Sequence, residues 1–275
     1  MSAEIAVLMP AYNADKTIRS AVDGILASTV PCDFYIVDDC SRIPVAERLG
    51  EMQGVEIIRL QQNHGLAAAL NVGLQRILPL GYEYVARMDA DDISYPDRLA
   101  KQLDFLKKNP SVAMVGSWCR YFDERTGMPL HILTKPVDSM AVRKTLFFNN
   151  AICHPTAMIR ADVLRQVGPY SLDYPVAEDY ELVRRIATRF DIANLPEVLL
   201  DYRVSSQGQS LARRRRQLYD RLRIQLKYFE ASEWRAWAGV AQTLGLFAFP
   251  AKFLSMVKSS LGVDKWMKLA GSPES

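Results

Sequence analysis

The chain has 275 residues, of which 49% are hydrophobic, and a formal net charge of +3. This is an ordinary composition for a packed globule, and the length suffices for one large domain or two small ones. The four cysteines form no CxxC pair and the three histidines do not cluster with them, so neither a zinc site nor a disulfide framework is expected. A reducing cytosolic setting fits this cysteine usage. The first ten residues have no basic residues ahead of their apolar run, which does not match a signal peptide.

The charge is divided unevenly along the chain. Residues 205–275 carry twelve Lys or Arg and five Asp or Glu, a net of +7, which leaves −4 on residues 1–204. Such a basic tail favours an anionic partner, either nucleic acid or a membrane surface with anionic lipids. The first 204 residues contain no nucleic-acid-binding motif, so no nucleic-acid partner is predicted.

Apolar runs alternate with helical patterns through the first 110 residues. Strands alternating with helices predict right-handed crossovers and a mainly parallel sheet covered on both faces, which is an α/β fold. The predicted strands are Ile5–Met9, Phe34–Val37, Val55–Leu60 and Tyr82–Met88, and the predicted helices are Asp15–Leu26, Leu66–Leu78 and Arg98–Leu106.

One apolar run, YVARMDADD, ends in three carboxylates within four residues. Asp89 and Asp91 are two positions apart, so on an extended backbone their side chains point the same way. Hard carboxylate oxygens suit a divalent ion such as Mn²⁺ or Mg²⁺ that is completed by phosphate oxygens. The alternative is a solvated acidic turn, in which Asp92 caps a helix beginning near Tyr95.

Polar residues follow three of the predicted strands, and ligands of open parallel sheets bind at the carboxyl ends of the strands. These ends lie at 10–13, 38–41 and 89–92. No GxGxxG follows the first strand and no GxxxxGK[ST] occurs in the chain. Dinucleotide oxidoreductases and P-loop NTPases are therefore not supported, and nucleotide phosphates here would have to be held by a metal.

Five blocks, LMPAYN, VDDCS, NHGLAAALN, ARMDADD and AEDYEL, occur in this order across residues 5–182. Together they resemble the family 2 glycosyltransferases, which have the GT-A fold. The resemblance implies transfer of a sugar from a nucleotide diphosphate sugar, with inversion at the anomeric carbon and a divalent metal as cofactor. By matched position it implies nucleotide contacts from Pro10, Tyr12, Asp39 and Asp89, a metal contact from Asp91, and a catalytic base at Asp179.

Elementary chemistry is compatible with these roles and leaves alternatives open. Tyr12 offers a flat face for a base, and Asp39 can accept an imide N–H, although Asp38 and Asp39 would also serve as turn formers. Asp179 lies in the first turn of a helix predicted over Ala177–Arg189, where the helix dipole alone also favours acidic residues.

Two residues are predicted to contact the acceptor, namely Glu178 and His154. Glu178 directly precedes the predicted base. His154 lies in an apolar segment beside Pro155, and the alternative is a hydrogen-bonded core histidine.

The chain departs from the family pattern at two places. Many relatives have a metal-completing histidine where Ser205 or Ser206 stands, so Asp91 would be the main protein ligand. Leu70 replaces an arginine that many relatives place in the NHGLAAALN block, and Arg87 would either substitute for it or pair with the nearby carboxylates.

The predicted domain organisation is a catalytic unit at 1–204, with a nucleotide-sugar half at 1–110 and an acceptor half at 111–204, followed by a helical extension at 205–275. Residues 236–251 carry no charge but are too few to span a bilayer comfortably. With Trp234 and Trp237 at one end and Lys252 and Lys258 toward the other, the segment suits a helix lying in a membrane interface. The alternative is a helix packed on the catalytic unit.

The sequence thus predicts a cytoplasmic enzyme, peripheral at the inner face of the plasma membrane. It would move one sugar from a UDP- or dTDP-sugar to a saccharide or lipid-linked acceptor in surface-polysaccharide assembly. The alternatives are a sugar nucleotidyltransferase and a non-catalytic sugar-nucleotide-binding protein.

Overall fold

The computed structural model describes residues 3–204 and 211–248. Its first half is built on four parallel strands: β1 (Ile5–Ala11), β2 (Cys32–Asp38), β3 (Val55–Arg59) and β4 (Tyr84–Arg87). They lie in the order β3-β2-β1-β4, with β1 between β2 and β4. Every residue of β1 is buried, as expected for a central strand covered on both faces.

Helices cover both faces of these strands, because alternate side chains of β1 point to opposite sides. Ala6 and Leu8 pack in one core with α3 (Leu66–Ile77). Ile5, Val7 and Met9 pack in the other core with α1 (Ile18–Leu26). A short helix, α2 (Val45–Leu49), follows β2 and was not predicted.

The helix predicted to begin near Tyr95 begins later. Residues Ile93–Ser94 form a two-residue strand, β5, and helix α4 spans Arg98–Lys108. Because β5 pairs with a strand from the second half of the chain, the segment after the acidic cluster is held in the sheet rather than in a helix.

The second half extends the same sheet with β6 (Val112–Asp123), β7 (Pro129–Leu133), β8 (Met158–Arg160) and β9 (Asp191–Val204). Strand β8 is antiparallel to both β4 and β6, and so joins the two halves. Strand β9 runs parallel to β6 and reaches β5 at its far edge. The described strands form one nine-stranded sheet, and the predicted α/β class is confirmed.

Three further helices pack around the second half: α5 (Ser139–Thr145), α6 (Ala161–Val167) and α7 (Glu178–Ala187). A short 3₁₀ turn, His154–Thr156, precedes β8. The apolar face of α7 joins the same core as α3, which fixes its first turn above the carboxyl edge of the sheet.

Two helices follow the sheet, α8 (Leu211–Lys227) and α9 (Trp234–Ala248). Ile224 of α8 is fully buried, and Lys227 Nζ lies 2.8 Å from Glu181 Oε1 of α7. A side chain at Gly239 of α9 would collide with the carbonyl of Phe147, so the two segments touch at backbone distance. The extension therefore packs on the second half of the fold.

The opposite face of α9 is exposed and apolar. Trp234 and Trp237 are 63% and 59% exposed, and Leu244 is 51% exposed. They recur at helical spacing, so they form one stripe along the helix. A search of the described residues finds no helix with the length and apolar content needed to cross a membrane.

Candidate functional site

The ends of β1 and β2 are tied together by side chains. The Asn13 amide donates to Ser41 Oγ at 3.0 Å, and the Arg42 amide donates to Asn13 Oδ1 at 2.9 Å. Asn13 and Cys40 have φ of 52° and 61°, which few residues other than glycine adopt. These turns leave Tyr12 exposed at the rim and close to the end of β4.

The two carboxylates that end β2 have different surroundings. Asp38 accepts from the amides of Ser41 and Val45 and pairs with Arg59 at 2.6 Å, so it is the turn former of the two.

Asp39 instead fixes the loop that leads into α3. It accepts from Asn63 Nδ2 at 2.9 Å and from the amides of His64 and Gly65 at 2.8 Å each. Asp39 is buried, and its contact with a nucleobase stays a prediction.

The strand-end cluster, Asp89, Asp91 and Asp92, is the acidic group after β4. One oxygen from each of the three carboxylates lies within 4.8 Å of the others. Asp89 forms an ion pair with the buried Arg87. Of the two alternatives predicted for Arg87, this confirms pairing with the nearby carboxylates. Burial disfavours the charged guanidinium, yet the charge of Asp89 raises the pKa of Arg87.

The electrostatics of this cluster favour a bound cation. Withdrawal from solvent, followed by the charge of Asp89, raises the pKa of Asp91 to about 6. Burial and both neighbouring charges raise the pKa of Asp92 well above its ordinary value, and among the described residues its Oδ2 has no hydrogen-bond partner. Carboxylates in this state suit a divalent ion, which would relieve their mutual repulsion.

The expectation that Asp92 caps a helix is wrong. Its side chain is buried, and Oδ1 accepts the amide of Arg203 in β9 at 2.9 Å. The β5–β9 pairing draws Asp92 toward the sheet, which is why it cannot serve the helix that begins six residues later.

A cleft of about 850 Å³, here called the strand-end cleft, opens above these strands. Pro10, Tyr12, Asp89 and Asp91 line it, which brings together four of the residues predicted to bind nucleotide and metal. Its walls also carry three cations that sequence reasoning missed, namely Lys16, Arg42 and Arg203.

Arg203 is held against the cluster by several contacts. Its Nε donates to the carbonyl of Asp91 at 2.7 Å, and its guanidinium lies 4.8 Å from the ring centre of Phe122. In the sequence, residues 202–206, YRVSS, indicated this position only because they resemble the closing segment of the family. Ser205 and Ser206, where many relatives carry a histidine, lie outside the described residues.

His154 lies in the 3₁₀ turn that precedes β8. Its Nε2 is 2.9 Å from the hydroxyl of Tyr170, and burial, then the charge of Arg87, lowers its pKa well below the ordinary value. Asn71 of α3 fixes Tyr170 through paired bonds to its amide and carbonyl, at 2.8 and 2.9 Å. A neutral hydrogen-bonded histidine results, and its contact with an acceptor stays a prediction.

The helix-start pair, Glu178 and Asp179, opens α7 without a capping side chain. Glu178 is 5% exposed, and burial, then the charge of Asp179, raises its pKa to about 8. Burial also raises the pKa of Asp179, while a bond from Asn150 Nδ2 at 2.8 Å works in the opposite direction. No sequence motif indicated Asn150, which lies 29 residues from Asp179 along the chain.

Asp179 borders a second, smaller cavity of about 130 Å³. It lies between Asn150, the first turn of α7 and one face of α8. The site therefore consists of an open, charged strand-end cleft and a smaller cavity at the start of a helix, each with its own carboxylates.

Comparison with known proteins places this arrangement in a family. A model of glycosyl transferase family 2 matches residues 6–168, more than half of the chain. The amylovoran biosynthesis glycosyltransferase AmsE of Erwinia amylovora is 31% identical over 236 residues, which covers 81% of this chain and 86% of AmsE. An Escherichia coli protein named UDP-Gal:alpha-D-GlcNAc-diphosphoundecaprenol beta-1,3-galactosyltransferase is 28% identical over 212 residues, covering 74% and 75%.

The fold is shared with solved structures. The mannosyltransferase PcManGT from Pyrobaculum calidifontis, in complex with GDP-Man and Mn²⁺, superposes with a TM-score of 0.67 at 19% identity, covering 96% of this chain and 81% of that one. At that identity the likeness establishes the fold, which is GT-A as the sequence blocks implied. The chain belongs to glycosyltransferase family 2 and is a glycosyltransferase.

Proposed function

We propose that this enzyme is an inverting transferase that moves one sugar from a UDP- or dTDP-sugar to a saccharide or lipid-linked acceptor in surface-polysaccharide assembly. The observation that carries the proposal is the pairing of two carboxylate sites. The strand-end cleft holds Asp89 and Asp91 among three cations, and Asp179 stands apart at the second cavity. The names of AmsE and of the Escherichia coli galactosyltransferase support the pathway and the donor class.

The strand-end cleft has the chemistry to hold a nucleoside diphosphate. Tyr12 supplies a flat face for the base, and Asp39 a carboxylate at the end of the adjacent strand. Lys16, Arg42 and Arg203 line the walls as positive charges for phosphate oxygens.

The residues present also fit a divalent ion, because the carboxyl groups of Asp91 and Asp92 have raised pKa values and an oxygen of Asp92 has no partner in the part of the chain that the structure describes. Asp91, with Asp89 beside it, would hold Mn²⁺ or Mg²⁺. A bound ion supplies Lewis-acid stabilisation of the negative charge on the departing diphosphate.

In the transfer step, Asp179 takes the proton of the acceptor hydroxyl as its oxygen bonds to the anomeric carbon. The bond from that carbon to the diphosphate breaks, and its electron pair leaves with the nucleoside diphosphate. Attack opposite the departing group in a single displacement inverts the configuration. Glu178, and His154 beneath it, are the proposed contacts for the acceptor sugar.

Turnover of a panel of nucleotide sugars with Mn²⁺ and with Mg²⁺ tests this function. We expect metal-dependent release of a nucleoside diphosphate from a UDP- or dTDP-sugar. Release of pyrophosphate would indicate a nucleotidyltransferase. Tight binding without turnover of any donor, with or without acceptors, would indicate a binding protein.

We also propose that the exposed stripe of α9 lies in a membrane interface at the cytoplasmic side. Trp234, Trp237 and Leu244 form an apolar stripe, while Gly239 and Thr243 on the other face pack inward. The packed face fits the alternative of a helix docked on the catalytic unit, and the exposed stripe supports the proposed membrane contact. Interfacial helices with aromatic residues and nearby basic charge bind anionic lipid surfaces.

Sedimentation with vesicles of phosphatidylglycerol and phosphatidylcholine tests this contact. We expect the double variant Trp234→Glu, Leu244→Glu to remain in the supernatant while the parent protein sediments. Leu130→Glu, at a 52% exposed position on β7, is the matched control and should sediment like the parent. Equal sedimentation of all three proteins would refute the membrane role of α9.

A further inference from the structure

Helix α8 forms one wall of the small cavity beside Asp179. Gln217 and Arg221 of α8 face Asn150 and Asp179 across this space. The match to glycosyl transferase family 2 ends at residue 168, so this wall comes from a part of the chain outside that match.

Arg221 differs from three neighbouring cations of this helix. Arg216 and Arg223 lie 3.5 and 3.6 Å from Asp220, and Lys227 pairs with Glu181. Within the described part of the chain, Arg221 has neither an ion pair nor a hydrogen bond, and its Nε is buried without a partner. Burial accordingly lowers its pKa.

Arg221 is partly exposed, but its buried Nε has lost water without gaining a partner among the described residues, so an anion that accepts from this guanidinium would be stabilised. Asp179 lines the same cavity but forms no ion pair with Arg221, so it does not fill this role. A guanidinium binds phosphoryl oxygens through paired hydrogen bonds, and the Gln217 amide one turn earlier adds a further donor.

The volume of the cavity limits what the anion can be. The cavity of about 130 Å³ is much smaller than the strand-end cleft of about 850 Å³. The smaller space favours a compact anion such as a phosphoryl group. A negatively charged group here would lie on the acceptor side of Asp179, away from the strand-end cleft.

We infer that Arg221, assisted by Gln217, binds a phosphoryl group of the acceptor and so selects acceptors in which the reacting sugar is linked to a phosphate or diphosphate. The inference rests on the proposed transferase function. It makes helix α8 part of the acceptor site and Arg221 a specificity-determining residue. Because the proton goes to Asp179, Arg221 orients the acceptor and takes no part in the bond changes.

Paired acceptors that differ only in the phosphoryl link test the inference. Each sugar of a small panel is offered as its undecyl diphosphate and as its neutral undecyl glycoside, with the donor found in the turnover screen. In Arg221→Gln we expect KM for the diphosphate acceptors to rise at least 10-fold, and KM for the neutral acceptors to change little. Arg215→Gln, which removes an exposed charge from the same helix, should change neither.

A second measurement does not depend on turnover. Calorimetry with decyl diphosphate, at saturating UDP and Mn²⁺ to occupy the strand-end cleft, should show binding to the parent and to Arg215→Gln, weakened at least 10-fold in Arg221→Gln. Equal binding by all three proteins, or equal loss of neutral and diphosphate acceptors in Arg221→Gln, would overturn the inference. Arg221→Lys keeps the charge, so its affinity for decyl diphosphate should lie between those of the parent and Arg221→Gln. This variant shows whether a folding defect explains the loss.

Short-chain phosphatidylglycerol, offered in place of decyl diphosphate, separates the two sources of a phosphoryl group. Binding that depends equally on Arg221 would assign the residue to a lipid headgroup and overturn the acceptor role. The transferase proposal fails differently: it is tested on the parent enzyme, by metal-dependent release of a nucleoside diphosphate, and that result does not depend on Arg221.

Discussion

The strand-end cluster and the helix-start pair each contain two carboxyl groups with raised pKa values, Asp91 and Asp92 in the first and Glu178 and Asp179 in the second, but their surroundings differ. Asp89, Asp91 and Asp92 follow a strand and face an open cleft lined with cations. Glu178 and Asp179 begin a helix and face a small cavity, where Asp179 is held by one amide side chain.

The difference shows how environment divides the work between carboxylates. Three neighbouring carboxylates repel one another and favour an added cation, which suits the binding of a diphosphate. A single carboxylate with a raised pKa, held by a neutral hydrogen bond, suits the acceptance of a proton. Substitutions in one group should therefore leave the function of the other intact.

Asp179→Asn should have the largest effect. It keeps the shape of the side chain but cannot accept a proton, so kcat should fall by about 10³ to 10⁴. Asp162 lies in the first turn of α6, as Asp179 does in α7, and it provides the control. Asp162→Asn should retain the parent rate. Steady-state release of nucleoside diphosphate measures both, and more than a tenth of the parent activity in Asp179→Asn would remove it as the base.

Asp91→Asn should come next. Loss of the Asp91 carboxylate from the strand-end cluster should lower kcat/KM by about 100-fold, equivalent to roughly 2.7 kcal/mol of transition-state stabilisation. The residual rate should no longer rise with Mn²⁺ concentration. Asp97→Asn, which alters a surface ion pair with Lys101, is the control. An unchanged Mn²⁺ response in Asp91→Asn would contradict its role as a ligand.

Asn150→Ala should shift the pH dependence. Because the Asn150 bond lowers the pKa of Asp179, its loss raises that pKa, and the ionised fraction falls at acidic pH. We expect the acidic limb of the kcat profile to move to higher pH, with activity recovered as the pH rises further. Asn149 lines the same cavity without a hydrogen bond to Asp179, so Asn149→Ala should leave the acidic limb in place. An unmoved limb in Asn150→Ala would show that the bond does not tune the base.

Glu178→Gln should show its effect on stability. Glu178 ionises near 4.5 in the unfolded chain but only near 8 in the folded one, so its contribution to the free energy of unfolding is lost as pH rises between those values. The glutamine variant should gain up to about 3 kcal/mol relative to the parent between pH 5 and pH 8. Urea unfolding at both pH values measures this, with the exposed Glu230→Gln as control. A constant difference between parent and variant would show that Glu178 is ionised when folded.

Local patterns predicted the first half of this fold well. The apolar runs of β1 to β4 and the carboxyl edge that they form are confirmed, because continuous apolar residues specify buried parallel strands. Strands β5 and β8 were missed, since two and three residues carry too little pattern, and their position depends on β9 and β6 far along the chain.

The site was predictable to a similar degree. The structure brings Tyr12, Asp89 and Asp91 into one cleft, because the strands that precede them end at the shared edge, and their roles stay predictions. Arg203 and Arg221 could not be anticipated, because their positions depend on a β9 contact and on the docking of α8. Asp92 was misassigned for the same reason, since its partner lies 111 residues away.

Binding of UDP measured by calorimetry, with and without Mn²⁺, in Asp91→Asn and in Asp179→Asn tests the division between the two acidic groups most directly. We expect Asp179→Asn to bind UDP like the parent and to keep the increase in affinity that Mn²⁺ produces. Asp91→Asn should bind UDP weakly and show no such increase. Loss of the Mn²⁺ effect in Asp179→Asn, or its retention in Asp91→Asn, would contradict the account.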